Sequence, residues 1–386
     1  MELQEKKRGS GILNFLAFVL LLVLVMGIAL LVYLKDQKVD IRNLNVGEFI
    51  SEVFYKDKGK EAERIIADIK YDSKERPVFK VYRDYIIKCT TDRIICLSKE
   101  GNEQWTKSVS VANPIIRAAG QYLLVADLGG RNIYMLNGSD IKWSEKADGN
   151  IINADINEKG YVSVVRDMKG YKSSVQVFDP HGNWIFIKPS SENFILSARV
   201  LPRGDGVVIN EIDSSAVTAN SSIVFADMEG NQLTGIKYEN LIFPNVWCFN
   251  DGSALAVSES GIFFSDYENN KKWEIEYERV YSSNVILGKS AVVAVQESGG
   301  KGGSVKILDS GGEMTAEYKL ESDAVNLETF GSIISVNTGR EVLFINTKGE
   351  LVGKYKSASD IRYVCFFNKQ EAAVITKDGV IVTEIN

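Results

Sequence analysis

One pattern limits what this chain can fold into: an apolar, strand-like segment begins at Ile94, Ile133, Val175, Ile223, Ile262, Val305, Val342 and Val380. The intervals between these starts are 39, 42, 48, 39, 43, 37 and 38 residues, the period of propeller blades built from four short strands. Four residues after each of the first seven starts stands a turn-former, in order Ser98, Asn137, Asp179, Asp227, Asp266, Asp309 and Asn346. Three residues further on, five of these seven segments carry glycine, at Gly101, Gly182, Gly230, Gly312 and Gly349, as a turn with positive φ demands. Each segment is therefore expected to turn back as a hairpin.

Apolar strands precede the hairpins, as in Tyr122–Ala126, Tyr161–Val165, Ala254–Val257, Ala291–Val295 and Ser332–Val336. Further pieces lie upstream (Ile115-Ile116, Phe194-Ile195-Leu196) and downstream (Gln104-Trp105, Lys142-Trp143, Lys272-Trp273), which makes four strands per unit. The last unit is incomplete, because Val380-Ile381-Val382 is followed by only four residues. The spare apolar run Arg64–Tyr71 at the other end of the domain is expected to complete it and hide an open sheet edge. The fold expected is all-β: an eight-bladed β-propeller of four-stranded blades over 61–386, with 61–71 closing the last blade, preceded by one transmembrane helix.

That helix is read from Phe15 to Leu34, twenty residues without a charge, enough to cross about 30 Å of hydrocarbon. The run ends in Leu30-Leu31-Val32-Tyr33-Leu34-Lys35 and lacks the small residues of a cleavage site. The expected organisation is a short basic cytoplasmic tail over 1–11, a transmembrane helix over 12–34 and a linker over 35–60. Within the linker, Val46, Phe49, Ile50, Val53 and Phe54 fall near helical spacing, so Asn45–Tyr55 is expected to form a short amphipathic helix. Lys6, Lys7 and Arg8 before the span nearly balance Lys35, Lys38 and Arg42 after it. Orientation therefore rests on size: a signal anchor keeps the short tail inside and places the large domain on the extracytoplasmic side.

A net charge of −6 gives no diffuse positive field for nucleic acid, which is set aside as a partner. The four cysteines, Cys89, Cys96, Cys248 and Cys365, show no metal, haem or redox spacing. If Cys89 and Cys96 flank a hairpin turning at Thr91 and Asp92, Cys89 faces Ile94 and Cys96 faces Ile87, a diagonal that suits no disulfide. All four are expected to be small buried hydrophobes. The single histidine, His181, sits in the turn Asp179-Pro180-His181-Gly182, exposed and without a second histidine to join it. Gly299-Gly300-Lys301-Gly302-Gly303-Ser304 leads into a strand and lacks the Ser or Thr of a phosphate loop, so it reads as a long hairpin loop. Tyr238, Phe243, Trp247 and Phe249 are expected in the core, and Trp105, Trp143 and Trp273 as docks between neighbouring blades.

The run Cys96-Leu97-Ser98-Lys99-Glu100-Gly101-Asn102-Glu103-Gln104-Trp105 is similar to the leucine, turn, glycine, tryptophan motif of quinoprotein-like propellers. Blade two repeats it from Leu136 to Trp143 with one residue fewer, blade three has Phe186 for the tryptophan, and blade five keeps Trp273 without the glycine. Blades four, six and seven lack the aromatic. Over nearly its whole length, and most in the segment from Tyr71 through Pro77-Val78-Phe79 to Cys89, the chain also resembles a family of unknown function from anaerobic Gram-positive bacteria, with one anchor helix before a propeller. That resemblance implies fold and membrane placement and no activity. Quinoproteins hold their cofactor with a metal ion and, in several, a disulfide of adjacent cysteines; this chain has no adjacent cysteines, so no cofactor is expected.

The function expected is a non-enzymatic scaffold in the cell envelope, held by its one N-terminal helix and docking an envelope protein partner. An ectodomain that takes a small molecule or glycan in its central funnel is the alternative, followed by a quinone-dependent or hydrolytic enzyme. No catalytic, cofactor-binding or metal-binding residue is assigned from sequence.

Overall fold

A computed structural model describes residues 65–215, 218–266, 271–296 and 303–385. The expected tail, transmembrane helix and linker lie outside the described residues, as does most of the Gly299–Ser304 loop. Among the described residues no helix is long and apolar enough to cross a membrane.

The described residues form 32 strands, numbered β1 to β32 in chain order, and one turn of 3-10 helix at Ser73–Glu75. They assemble into eight antiparallel sheets of four strands each. The first strands of the successive sheets are β2 (Val78–Tyr82), β6 (Pro114–Ala119), β10 (Ile151–Ile156), β14 (Phe194–Val200), β18 (Asn245–Cys248), β22 (Arg279–Ile286), β26 (Asn326–Phe330) and β30 (Ile361–Phe366). Each touches its counterpart in the next sheet, and β30 returns to β2, so the sheets close a ring around an axial channel. This is the expected eight-bladed propeller. Blade 8 is built from β30, β31 (Glu371–Thr376), β32 (Gly379–Glu384) and β1 (Ile65–Lys70), with β1 antiparallel to β32 and Lys70 opposite Gly379. The strand from the start of the domain therefore completes the last blade, as its apolar character predicts.

The hydrophobic core is divided into eight layers, one between each pair of neighbouring blades. Leu124, Met135, Ala154 and Val164 belong to the layer between blades 2 and 3, and Phe79, Ile86, Ala373 and Val380 to the layer between blades 8 and 1. The seam carries extra ties. Tyr363 donates its hydroxyl to the Phe79 carbonyl (3.0 Å) and accepts from the Phe79 amide (2.9 Å). Lys99 pairs with Glu371 at 2.5 Å, and the Tyr71 hydroxyl donates to the Thr376 carbonyl at 2.7 Å.

The repeated turn motif has a direct structural meaning. Asp179 Oδ1 accepts from the His181 and Asn183 amides, Asp227 Oδ1 from Glu229 and Asn231, Asp309 Oδ1 from Gly311 and Glu313, and Asn346 Oδ1 from Lys348 and Glu350. These Asx turns set the hairpins. A β-bulge after each turn shifts the register so that the fourth strand re-aims its side chains. Blade 2 departs from the pattern: its hairpin is shorter, Asn137 pairs directly with Asp140, and the Asn137 amide oxygen accepts from Arg83 instead.

The motif glycine of one blade receives the aromatic of the blade before it. A β-carbon on Gly182 would stand 2.7 Å from Trp143 Cγ, one on Gly230 2.8 Å from Phe186, and one on Gly312 2.8 Å from Trp273. Trp143 Nε1 also donates to the Pro180 carbonyl at 3.3 Å, and Trp273 Nε1 to the Ser310 carbonyl at 2.9 Å. At the seam Ile69 of β1 takes the aromatic's part, 3.0 Å from a β-carbon on Gly101. The docks expected at Trp143 and Trp273 are therefore present, whereas Trp105 packs against the apolar layer between blades 1 and 2 without a glycine to receive it.

Gly182→Ala separates the two costs of this arrangement. Its φ of +89° is also found at Gly170 (+85°), where a β-carbon meets nothing within 4 Å. Gly170→Ala should lose about 1–2 kcal/mol from backbone strain alone, and Gly182→Ala about 1–3 kcal/mol more from overpacking. Urea denaturation of both variants measures the difference, and Trp143→Ala combined with Gly182→Ala should return most of the excess.

Candidate functional site

Each blade has one rung that runs from the channel to the rim. In blade 1 Lys80 pairs with Ile87, Ile87 with Cys96, and Cys96 with the motif residue Trp105. The corresponding rung is Arg117, Leu124, Met135, Trp143 in blade 2 and Asp155, Ser163, Val177, Phe186 in blade 3. Blade 4 has Arg199, Val208, Phe225, Thr234, and blade 5 has Trp247, Leu255, Phe264, Trp273. Blade 6 has Asn284, Val292, Ile307, Ala316; blade 7 has Glu328, Ser335, Phe344, Gly353; blade 8 has Cys365, Ala373, Val382, Ala67. The channel end of every rung is thus a residue with chemistry: Lys80, Arg117, Asp155, Arg199, Trp247, Asn284, Glu328 and Cys365 form a belt around the axis.

Across blades 2 to 7 the belt is stitched side chain to side chain. Asp155 lies between two guanidiniums, 3.8 Å from Arg117 Nε and 3.1 Å from Arg199 Nη1. The Arg199 guanidinium sits 4.8 Å from the centroid of the Trp247 ring, and the Trp247 indole donates to Ser283 Oγ at 3.0 Å. Asn284 Nδ2 donates to Glu328 Oε1 at 3.5 Å. A small cavity of about 70 Å³ lies among Arg117, Asn153, Asp155, Ser197 and Arg199.

Across blades 7, 8, 1 and 2 the channel is open. A cavity of about 590 Å³ is lined at its depth by Lys80, Glu328 and Cys365, on its walls by Ala118, Ala119, Phe330 and Phe367, and at its rim by Arg83, Asp84 and Glu158. It opens among the loops joining first to second strands, where Arg83, Asp84 and Glu158 sit. The Cys365 sulfur and, beyond it, the Glu328 carboxylate hold the Lys80 ammonium above its ordinary range, against burial and the Arg117 charge. Burial pushes the Cys365 thiol up, with the Lys80 charge opposing it.

Sequence reasoning named none of the belt residues except Trp247 and Cys365, and placed Trp247 in the core. The other members of that aromatic cluster are in the core: Tyr238 and Phe243 meet at 5.0 Å, and Phe249 lies 5.2 Å from Phe264. Trp247 is only partly buried and faces the belt. His181 is exposed in its turn, as expected. Cys89 is opposite Ile94 and Cys96 opposite Ile87, the diagonal predicted; all four cysteines are free, with Cys89, Cys96 and Cys365 buried as expected and Cys248 only partly so. Among the described residues no group of three or more His, Cys, Asp or Glu side chains is arranged to hold a metal ion.

Eight four-stranded blades around a channel whose wall is part polar belt and part open cavity define a β-propeller of the repeat-built kind. Its family is one of unknown function: the chain belongs to the DUF5711 family, whose model matches residues 30–385. Among solved structures it is similar to BamB from Moraxella catarrhalis, with 11% identity and a TM-score of 0.53 over 84% of this chain and 99% of that one. It is similar also to Saccharomyces cerevisiae Sqt1, with 9% identity and a TM-score of 0.62 over 83% of this chain and 98% of that one. The C-terminal WD40 domain of Sif2 matches with 9% identity and a TM-score of 0.61 over 83% and 97% of the two chains. At these identities the likeness is one of fold. No curated protein matches the chain in sequence.

Two outcomes follow from the belt and the thiols. Asp155→Asn leaves Arg117 and Arg199 facing one another without their shared anion and should cost about 1–2 kcal/mol, read as a lower urea midpoint. Burial raises the thiols of Cys89 and Cys248 to about 12 and of Cys96 to about 11, so at pH 8 roughly a thousandth or less of each is thiolate. Iodoacetamide at pH 8 should modify no cysteine in the native protein and all four after denaturation, counted by intact mass.

Proposed function

We propose that this chain is a non-enzymatic, membrane-anchored propeller that acts as a protein-binding scaffold in the cell envelope, with the ring on the extracytoplasmic side. The uncharged run Phe15–Leu34 supports the anchor. The observation that carries the binding role is a set of exposed apolar side chains on three consecutive blades, at the end of the ring opposite the cavity mouth. Ile152, Tyr171, Phe194 and Ile242 are 41 to 47% exposed, Ile152 and Phe194 near the starts of the first strands of blades 3 and 4, Tyr171 at the start of the third strand of blade 3 and Ile242 in the loop from blade 4 to blade 5. Lys172 lies over the Phe194 ring at 4.9 Å, which gives that part of the surface a charged edge. Exposed apolar residues gathered at one end of a rigid fold mark interaction surfaces in soluble domains.

Crosslinking in intact cells, affinity capture of the full chain and mass spectrometry test this reading. The same envelope proteins should be recovered repeatedly, and lost from a chain lacking residues 1–60. Phe194→Asp with Ile242→Asp should abolish their recovery, whereas Trp184→Asp, at a 68% exposed residue toward the other end of the ring, should retain it. Recovery of the bait alone, or equal recovery with both sets of substitutions, would sink the proposal.

A further inference from the structure

We infer that the 590 Å³ cavity at blades 7, 8, 1 and 2 is a binding site for a small zwitterion of the amino-acid type, bound through its carboxylate to Lys80 and through its ammonium to Glu328. This goes beyond the scaffold reading and does not depend on it.

The argument starts from an unmet need. Lys80 stands in the middle of β2 with its side chain partly buried at the cavity, and among the described residues its ammonium makes no hydrogen bond and no ion pair. An ammonium set back in a cleft without a protein partner is left for a molecule in that cleft to satisfy. Glu328 lines the same cavity and is near enough to raise the affinity of Lys80 for its proton, but the two do not close into a salt bridge. Its own contact is the long hydrogen bond from Asn284 at 3.5 Å. Cys365 between them is neutral, because burial raises its thiol.

Two opposite charges that face one void without neutralising each other are matched by a ligand carrying both. A simple anion would answer Lys80 and be repelled by Glu328; a simple cation would do the reverse. The walls suit the remainder of such a ligand. Phe330 is 42% exposed beside the cavity, and Ala118, Ala119 and Gly120 leave room opposite it. A few convergent polar groups in a partly apolar cleft of several hundred Å³ are the usual anatomy of a small-molecule site. At the rim Asp84 and Glu158 outnumber Arg83, which donates to the neutral Asn137 amide at 2.7 Å, so the entrance keeps a net acidic charge that disfavours a second carboxylate.

Free amino acids and the ends of short peptides share this chemistry, and calorimetry separates them. The purified full chain in detergent is titrated with glycine, leucine, phenylalanine and lysine, with dialanine and trialanine, and with their N-acetylated and C-amidated forms. Saturable heat is expected with ligands whose two ends are free, and an affinity about ten-fold or more lower when either end is blocked. Binding of the amino acids alone assigns the site to free amino acids; binding of the peptides alone assigns it to peptides. Lys80→Met and Glu328→Gln should each weaken binding by about ten-fold or more, while the melting temperature of ligand-free Lys80→Met stays level or rises, because an unpaired, partly buried charge has been removed. Absence of saturable heat with every probe, equal affinity for free and blocked ends, or undiminished binding in both variants would overturn the inference.

Discussion

The pairing of β1 with β32 is the interaction on which the ring depends. Without it β32 would present an open edge, and the layer between blades 8 and 1 would lose Ile66, Ala67 and Ile69, which pack against its core. In a closed ring each layer is held in place by the next, so a gap at one layer loosens all of them. The contact joins the two ends of the domain, and such long-range pairing is entropically expensive to form before other contacts reward it. The hydroxyl clasp of Tyr363 on Phe79 and the Lys99–Glu371 ion pair join blades 8 and 1 beside it, adding to the covalent link that runs from β1 in blade 8 to β2 in blade 1.

Between the other blades a recurrent device does the joining: a flat aromatic laid against a glycine that has no β-carbon. It operates from blade 2 to 3, from 3 to 4 and from 5 to 6. Where the aromatic is lost, the geometry changes. Gly349 of blade 7 approaches the backbone of Glu317 so closely that a β-carbon would stand 2.6 Å from its carbonyl oxygen, so backbone meets backbone where blade 6 has Ala316 at the motif position. Loss of the aromatic is thus accommodated by closer approach of the strands, and the apolar layer between blades 6 and 7 remains continuous through Val292, Ile307, Ile334 and Ile345.

These differences explain what sequence could and could not reveal. The third strands, their Asx turns and their glycines recur at nearly constant spacing because all belong to one tight hairpin, and they were legible. The incomplete last repeat and the spare strand near Arg64–Tyr71 were legible for the same reason, since a blade needs four strands. The belt was not. Lys80 lies 14 residues before Ile94, Asp155 20 residues before Val175 and Arg199 24 residues before Ile223. That offset spans two loops of variable length, so no fixed spacing marks the channel position. The residue type is also unconstrained by packing there, because the side chain ends in the channel instead of an apolar layer. Only the paired register, followed inward from the motif residue, locates it.

The size of the belt residues then decides where the channel is open. On the side of blades 4 and 5, Arg199 and Trp247 are long and lie one upon the other, and Arg199 is drawn to Asp155; together they fill their share of the axis. On the side of blades 8 and 2 the channel wall is made by Cys365, Ala118, Ala119 and Gly120, too short to reach across. Lys80 and Glu328 flank this gap from blades 1 and 7, and the small residues between them keep other side chains from neutralising either charge. The asymmetry leaves one ammonium and one carboxylate facing an open space, and the seam that closes the fold is also where its interior is accessible.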